Sequence, residues 1–156
     1  MPKLSEMNKT DRLRHRLFFQ YGRENYVSAA RLGEALLRAH VRLKSDNTAA
    51  YETDLYNTAL ACAGAGRVNR AVDLYTESIH KCFLRSGINL TIAARLTNLG
   101  ALLSDYGQHD NACRIFLQVI TIKKRFMAET HPDYEDALYN LDNALMRSRA
   151  ANQSAP

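Results

Sequence analysis

Apolar residues return every three or four positions along almost the whole chain, the spacing that gathers them on one face of an α-helix. After the capping types Thr10 and Asp11, the residues Leu13, Leu17, Phe18 and Tyr21 predict a first helix that runs to Gly22. A second begins near Asn25, with Tyr26, Ala29, Ala30, Leu32, Gly33, Leu36, Leu37 and Val41 as its apolar face. Gly33 costs about 1 kcal/mol relative to Ala inside a helix, so the position predicts a close approach of another backbone. Ser45 to Thr48 breaks the pattern and offers caps for a third helix that ends at Gly64-Ala65-Gly66. A fourth spans Arg67 to about Arg85 with Val68, Ala71, Tyr75, Ile79 and Phe83 inward, and Ser86-Gly87 stops it. The fifth runs from about Asn89 to Tyr106, and the sixth from His109 to Phe126 with Ala112, Phe116, Val119 and Ile120 inward. Thr130-His131-Pro132-Asp133 reads as a helix start, since Thr130 can cap, Pro132 lacks a donor the first turn leaves unpaired, and Asp133 suits the positive end of the dipole. The seventh helix then reaches about Arg149. No segment alternates strictly, so the expected fold is all-α.

One motif passes through this pattern three times. Leu55-Tyr56-Asn57-Thr58-Ala59 returns as Leu96-Thr97-Asn98-Leu99-Gly100 and as Leu138-Tyr139-Asn140-Leu141-Asp142, at steps of 41 and 42 residues. Between passes the phase holds: Gly66 is answered by Gly107, Ala71 by Ala112 and Tyr75 by Phe116. A fixed period of this length means stacked supersecondary units, each too small to cover its own apolar face.

The order of leucine, small residue, turn glycine, small residue and aromatic resembles the tetratricopeptide repeat (TPR). The best match is Leu96, Leu99, Gly100, Leu103, Gly107, Ala112 and Phe116; the preceding unit matches at Leu55, Ala59, Gly66, Ala71 and Tyr75, with Ser78 in the last small position. The first hairpin keeps Tyr26 and Ala29 but has Leu17 and Gly33 where a small residue and an aromatic are usual. Ordinary repeats of this kind run about 34 residues; the longer period here, with His131-Pro132-Asp133 opening a helix, is similar to the long repeats of kinesin light chains. The resemblance implies a right-handed α-solenoid of three TPR-like hairpins and one C-terminal capping helix, seven helices in all. Residues 10–149 form the repeat domain, flanked by a flexible N-terminus at 1–9 and a polar, patternless tail at 150–156. The unit opened by Leu138 has no second helix.

Composition changes this picture little. The chain of 156 residues is 46% hydrophobic and 24% charged, a globular balance. It has neither an apolar run of membrane-span length nor a signal-peptide core, which predicts a cytoplasmic protein without membrane contact. Cys62, Cys82 and Cys113 lack metal-ligand or redox spacing and read as buried reduced thiols. The net charge of +5 is uneven: residues 1–45 hold ten Lys and Arg against four acids. A basic first hairpin could favour an acidic partner or a phosphate backbone. It lacks the interleaved aromatics that stack on bases, so nucleic acid ranks last among the expected partners.

No GxSxG, HExxH, GxGxxG or Walker-type loop is present. His15, His40, His80, His109 and His131 lie in separate elements without pairing at one helical turn. The expected protein is therefore not an enzyme and uses no cofactor and no metal. The asparagines carry the functional reading. Two residues after each repeat leucine, Asn57, Asn98 and Asn140 fall on the wall of the stacked first helices, and an amide there can pair with the backbone of an extended peptide whatever its side chains. The resemblance supports such an asparagine ladder. Tyr56, Thr97 and Tyr139 would add side-chain contacts, with Phe18 and Leu60 as apolar ground nearer the N-terminus. The reading is a protein-interaction module binding an extended peptide on its concave face. The alternative is a regulatory or assembly subunit that forms a homo-oligomer through its terminal helix.

Overall fold

The computed structural model of the chain describes residues 7–153, and among them are seven α-helices and no strand. They are α1 (Lys9–Gly22), α2 (Tyr26–Arg42), α3 (Ala49–Gly64), α4 (Val68–Ser86), α5 (Leu90–Asp105), α6 (His109–Phe126) and α7 (Pro132–Gln153). The chain divides into two compact units, Met1–Cys82 and Phe83–Pro156, with the boundary in the last turn of α4.

Local chemistry sets the helix ends. Thr48 and Asn89 cap α3 and α5, each side-chain oxygen accepting the backbone N–H three residues on. At the C-termini of α1, α2, α3 and α5 the same turn recurs: Asn25 N–H donates to Gln20 O, Ser45 to His40, Arg67 to Cys62 and Gln108 to Leu103, at 2.8–3.0 Å. This turn needs one residue with positive φ. Gly66 and Gly107 supply it after α3 and α5, but Glu24 (φ 57°) and Lys44 (φ 53°) do so after α1 and α2. Gly22, which ends the apolar pattern of α1, is an ordinary helical residue.

Four expectations need correction. Helix α1 begins at Lys9, capped by Asn8, whose Oδ1 accepts the Asp11 N–H at 2.9 Å and the Thr10 hydroxyl at 2.7 Å. Residues 8 and 9 thus belong to the start of the helix, and residues 1–6 of the expected N-terminal segment lie outside the described residues. At the other end α7 continues to Gln153, because Ala150 and Ala151 are strong helix formers and no breaker precedes Pro156; of the expected tail only residues 154–156 lie outside the described residues. At the start of α7 the side chain that accepts a backbone N–H is His131, from Asp133 at 3.1 Å, in place of Thr130. Val41 and Phe83, expected inward, are exposed.

In the first unit the core is built on Leu17, Leu36, Leu55, Leu74 and Tyr75, with Ala29, Ala30, Ala59 and Ala71 where helices come close. Gly33 stands at a close approach of a side chain, not of the expected backbone: a Cβ there would stand 2.5 Å from Thr58 Oγ1. In the second unit Leu96, Leu99, Leu103, Phe116, Val119, Tyr134 and Ala137 are buried. Gly100 admits the Phe116 ring, which a Cβ would meet at 2.8 Å.

Candidate functional site

The predicted contact residues fall into two sets. In the first unit, Leu55, Thr58, Ala59 and Cys62 form the buried stripe of α3, and Tyr56, Asn57 and Leu60 lie at its margin, half-buried; Phe18 stands on α1 and is exposed. In the second unit, Leu96, Leu99, Gly100 and Leu103 are the buried stripe of α5, and Thr97 and Asn98 are half-buried beside it. The Thr97 hydroxyl donates to Ala93 O of its own helix at 2.9 Å, which leaves its methyl for outside contact.

Helix α7 departs from the repeat register. Its buried residues are Tyr134, Ala137 and Ala144, and Asn140 is half-buried. Leu138 is 45% exposed and Tyr139 68% exposed, whereas Leu55 and Leu96 at the matching station are 0% and 7% exposed. The expectation that each repeat leucine faces the core fails at Leu138, because among the described residues no helix follows to cover that face.

Two features of the first unit escaped the sequence reading. Asp54, 0% exposed, accepts two hydrogen bonds from Arg14, Nε to Oδ1 at 2.8 Å and Nη2 to Oδ2 at 2.7 Å. His40 Nε2 lies 2.8 Å from Asp54 Oδ2, and its Nδ1 lies 2.8 Å from Ser45 Oγ. A carboxylate can only accept, so Nε2 carries the proton. The hydrogen bond to Asp54 raises the pKa of Arg14 above its ordinary value. The serine, histidine and aspartate follow one another as in a hydrolytic relay, but His40 is 3% exposed and the carboxylate is already held by a guanidinium fork. The arrangement clamps α1, α2 and the start of α3 together. Its sequence signal was an acidic residue inside the apolar stripe of α3, directly before Leu55.

The second feature is aromatic. Tyr21 and Tyr26 meet edge to face at 5.2 Å, and Tyr56 tilts against Tyr75 at 5.9 Å. Gly64 lies so near Tyr26 that a Cβ would stand 2.6 Å from its ring. Burial raises the hydroxyls of Tyr21 and Tyr75 above the ordinary phenol value, so both are neutral at physiological pH. Tyr56, one of the predicted contact residues, is thereby anchored to the core on one side.

Cys62, Cys82 and Cys113 are free and buried, and burial raises the thiols of Cys62 and Cys113. Such thiols are poor nucleophiles. Among the described residues no three His, Cys, Asp or Glu side chains group where they could hold a metal ion, and no helix is long and apolar enough to cross a membrane.

No protein-family model matches the chain, and no curated protein sequence matches it. Solved structures do. A crystal structure of kinesin-light-chain-type, nearly identical TPR-like repeats from Podosopora anserina has a TM-score of 0.77 at 17% identity, over 94% of this chain and 72% of that chain. A variant of the same repeats has a TM-score of 0.75 at 18% identity, over 95% and 72%. BtubC (BKLC) from P. vanneervenii has a TM-score of 0.76 at 18% identity, over 98% of this chain and 70% of its own. With seven helices among the described residues and nearly the whole chain aligned, the protein has the all-α solenoid fold of TPR-like repeats of the kinesin-light-chain type.

Proposed function

We propose that the chain is a non-enzymatic, cytoplasmic protein-interaction module that binds an extended peptide through its repeat asparagines. The observation that carries this reading is the recurrence of a half-buried amide two residues after the repeat leucine in all three passes: Asn57, Asn98 and Asn140. An asparagine side chain has one acceptor and two donors, a set that matches a peptide backbone. In the second unit Asn98 and Asn140 are accompanied by the Thr97 methyl and the exposed Tyr139 ring; in the first, Asn57 is accompanied by Tyr56, Leu60 and Phe18.

The test is to select peptides by display and measure their affinity for the full chain and for Asn98→Ala and Asn140→Ala. Losing a bidentate contact forfeits a net bond worth about 0.5–1.5 kcal/mol and strands a backbone group at about 1–3 kcal/mol. Each variant should therefore keep its helicity and bind at least about tenfold more weakly. Unchanged affinity in both variants refutes the ladder.

Self-association through α7 is the second reading, favoured by the exposure of Leu138, Leu145 and Met146 along that helix. It expects a concentration-dependent dimer in sedimentation that Leu138→Glu abolishes, and a monomer at all concentrations excludes it.

A further inference from the structure

In the first unit, α2 and the start of α4 enclose an open cleft of about 480 Å³, lined by Arg31, Glu34, Arg38, Arg67 and Arg70. Four guanidinium groups thus surround one carboxylate. Glu34 takes two hydrogen bonds from Arg70, from Nε at 2.7 Å and from Nη2 at 3.1 Å, and Arg67 Nη2 stands 3.8 Å away. The hydrogen bond from Arg70 keeps Glu34 below the ordinary carboxylate value, so it is charged at physiological pH and orients both arginines. Arg31 and Arg38 form no ion pair among the described residues, and both are exposed. The cleft therefore holds a surplus of positive charge that internal pairing does not neutralise.

The fold does not require that surplus. One repeat further on, the stations of Arg31, Glu34 and Arg38 are taken by Asp73, Thr76 and His80, and those of Arg67 and Arg70 by Gln108 and Asn111. None of those five stations holds an arginine. Every cation in the cleft is also an arginine, the side chain whose planar fork matches the oxygens of a phosphate, whereas lysine offers a point charge. A second lobe of about 320 Å³ shares Glu34, Arg38 and Arg70, adds an apolar floor of Leu37, Val41 and Leu55, and is completed by Arg42, Tyr51 and Glu77, the last taking the Tyr51 hydroxyl at 3.2 Å.

We propose that this cleft is a phosphate-binding site that takes a phosphorylated side chain of a partner protein, with the adjoining lobe receiving an apolar residue beside it. Glu34 occupies the fork of Arg70, so the confined surplus that suits one dianion is carried by Arg31 and Arg38, with Arg67 at the edge of the pair. A nucleic-acid backbone needs a basic track and exposed rings for its bases, and the arginine cleft has no aromatic side chain in its lining. The site is independent of the asparagine stations: Asn98→Ala should leave it unaltered, so failure of one reading does not carry the other.

The experiment uses the full chain and four probes: inorganic phosphate, a short peptide with phosphoserine followed by leucine, the same peptide unphosphorylated, and a single-stranded RNA oligonucleotide. Inorganic phosphate should raise the melting temperature in a saturable way, and the phosphopeptide should bind at least tenfold more tightly than its unphosphorylated form. Arg31→Ala and Arg38→Ala together should remove both effects without changing helicity, because neither residue is tied to Glu34 by an ion pair. Arg38→Lys, which keeps the charge and loses the fork, should weaken the phosphopeptide severalfold. No saturable response to phosphate, equal binding of the two peptides, or binding that survives the double substitution overturns the proposal. Tighter binding of RNA with the same arginine dependence also overturns it and reassigns the cleft to nucleic acid.

Discussion

Replacing Asp54 by Asn puts the clamp of the first unit to its sharpest test. The substitution keeps the shape of the side chain and removes the charge that receives Arg14 Nε and Nη2 and His40 Nε2, all within 2.8 Å. Taking one partner from a fully buried ion pair costs about 3–5 kcal/mol, because the other charge is left without compensation. Here the Arg14 side chain is 27% exposed and keeps its second partner, Asp11, at 2.6 Å. Water and Asp11 therefore relieve part of the penalty, and a loss of about 2–4 kcal/mol is expected. That is a large share of the roughly 5–15 kcal/mol that holds a domain folded.

The companion substitution Arg14→Met has the opposite asymmetry, since it leaves a carboxylate with no access to water and only His40 Nε2 as its side-chain partner from another helix. It should cost at least as much as Asp54→Asn. The double variant should cost far less than the sum, with a coupling of about 2 kcal/mol or more, because residues in one network are not additive. Urea unfolding followed by circular dichroism gives each free energy. If Asp54→Asn lies within about 0.5 kcal/mol of the wild type, or if the two substitutions add, then the clamp contributes little and the reasoning fails.

Three further outcomes follow from other positions. Gly33→Ala should destabilise by about 1–3 kcal/mol, since its Cβ would meet Thr58 Oγ1 at 2.5 Å; the cost should shrink in a Thr58→Ala background, and an equal cost there would show that the contact is not the cause. Lys44→Gly should raise stability by about 0.5 kcal/mol, because a left-handed non-glycine residue costs about 1–2 kcal/mol while the added freedom of the unfolded chain returns part of it. Glu34 contributes stability that is fully present above its ordinary value of 4.5 and is lost as pH falls through its lower folded value. Acid unfolding curves of Glu34→Gln should lack that part of the pH dependence, and curves parallel to wild type would contradict it.

The elements were legible in the sequence because their signals are local. Asn89 before Leu90 and Gly107 after Tyr106 act within one turn, and the apolar period shows directly which face of each helix is buried. What was not legible depends on partners brought from a distance. Asp54 is buried because Arg14 reaches it from another helix, and neither residue announces the other at a separation of 40. Arg70 and Glu34 meet across 36 residues, so the sequence reported a basic first hairpin without showing that its arginines converge with those of the next. Leu138 was misread for the converse reason. Its pattern is that of a buried leucine, and the cover that would bury it does not follow among the described residues. Of the predicted contact residues, Asn57, Asn98 and Asn140 are half-buried, and Thr97 offers less polar reach than its hydroxyl suggested.

The repeat itself separates what packing demands from what individual stations do. Asp54, Arg95 and Ala137 stand directly before the three repeat leucines and are all buried, at 0%, 4% and 1% exposure. Burial at this station is therefore set by the architecture, while its chemistry changes at each pass: an anion that binds a neighbouring helix, a cation, and a methyl group. A buried charge is costly unless paired, and for Asp54 the pairing comes from Arg14 and His40. The asparagine station behaves in the opposite way. It is only half-buried, and the same amide returns three times. A residue type that recurs at a partly accessible station, while the buried station three positions before it varies, is the physical reason to test the proposed binding of a peptide backbone at the asparagines and not at the buried charges.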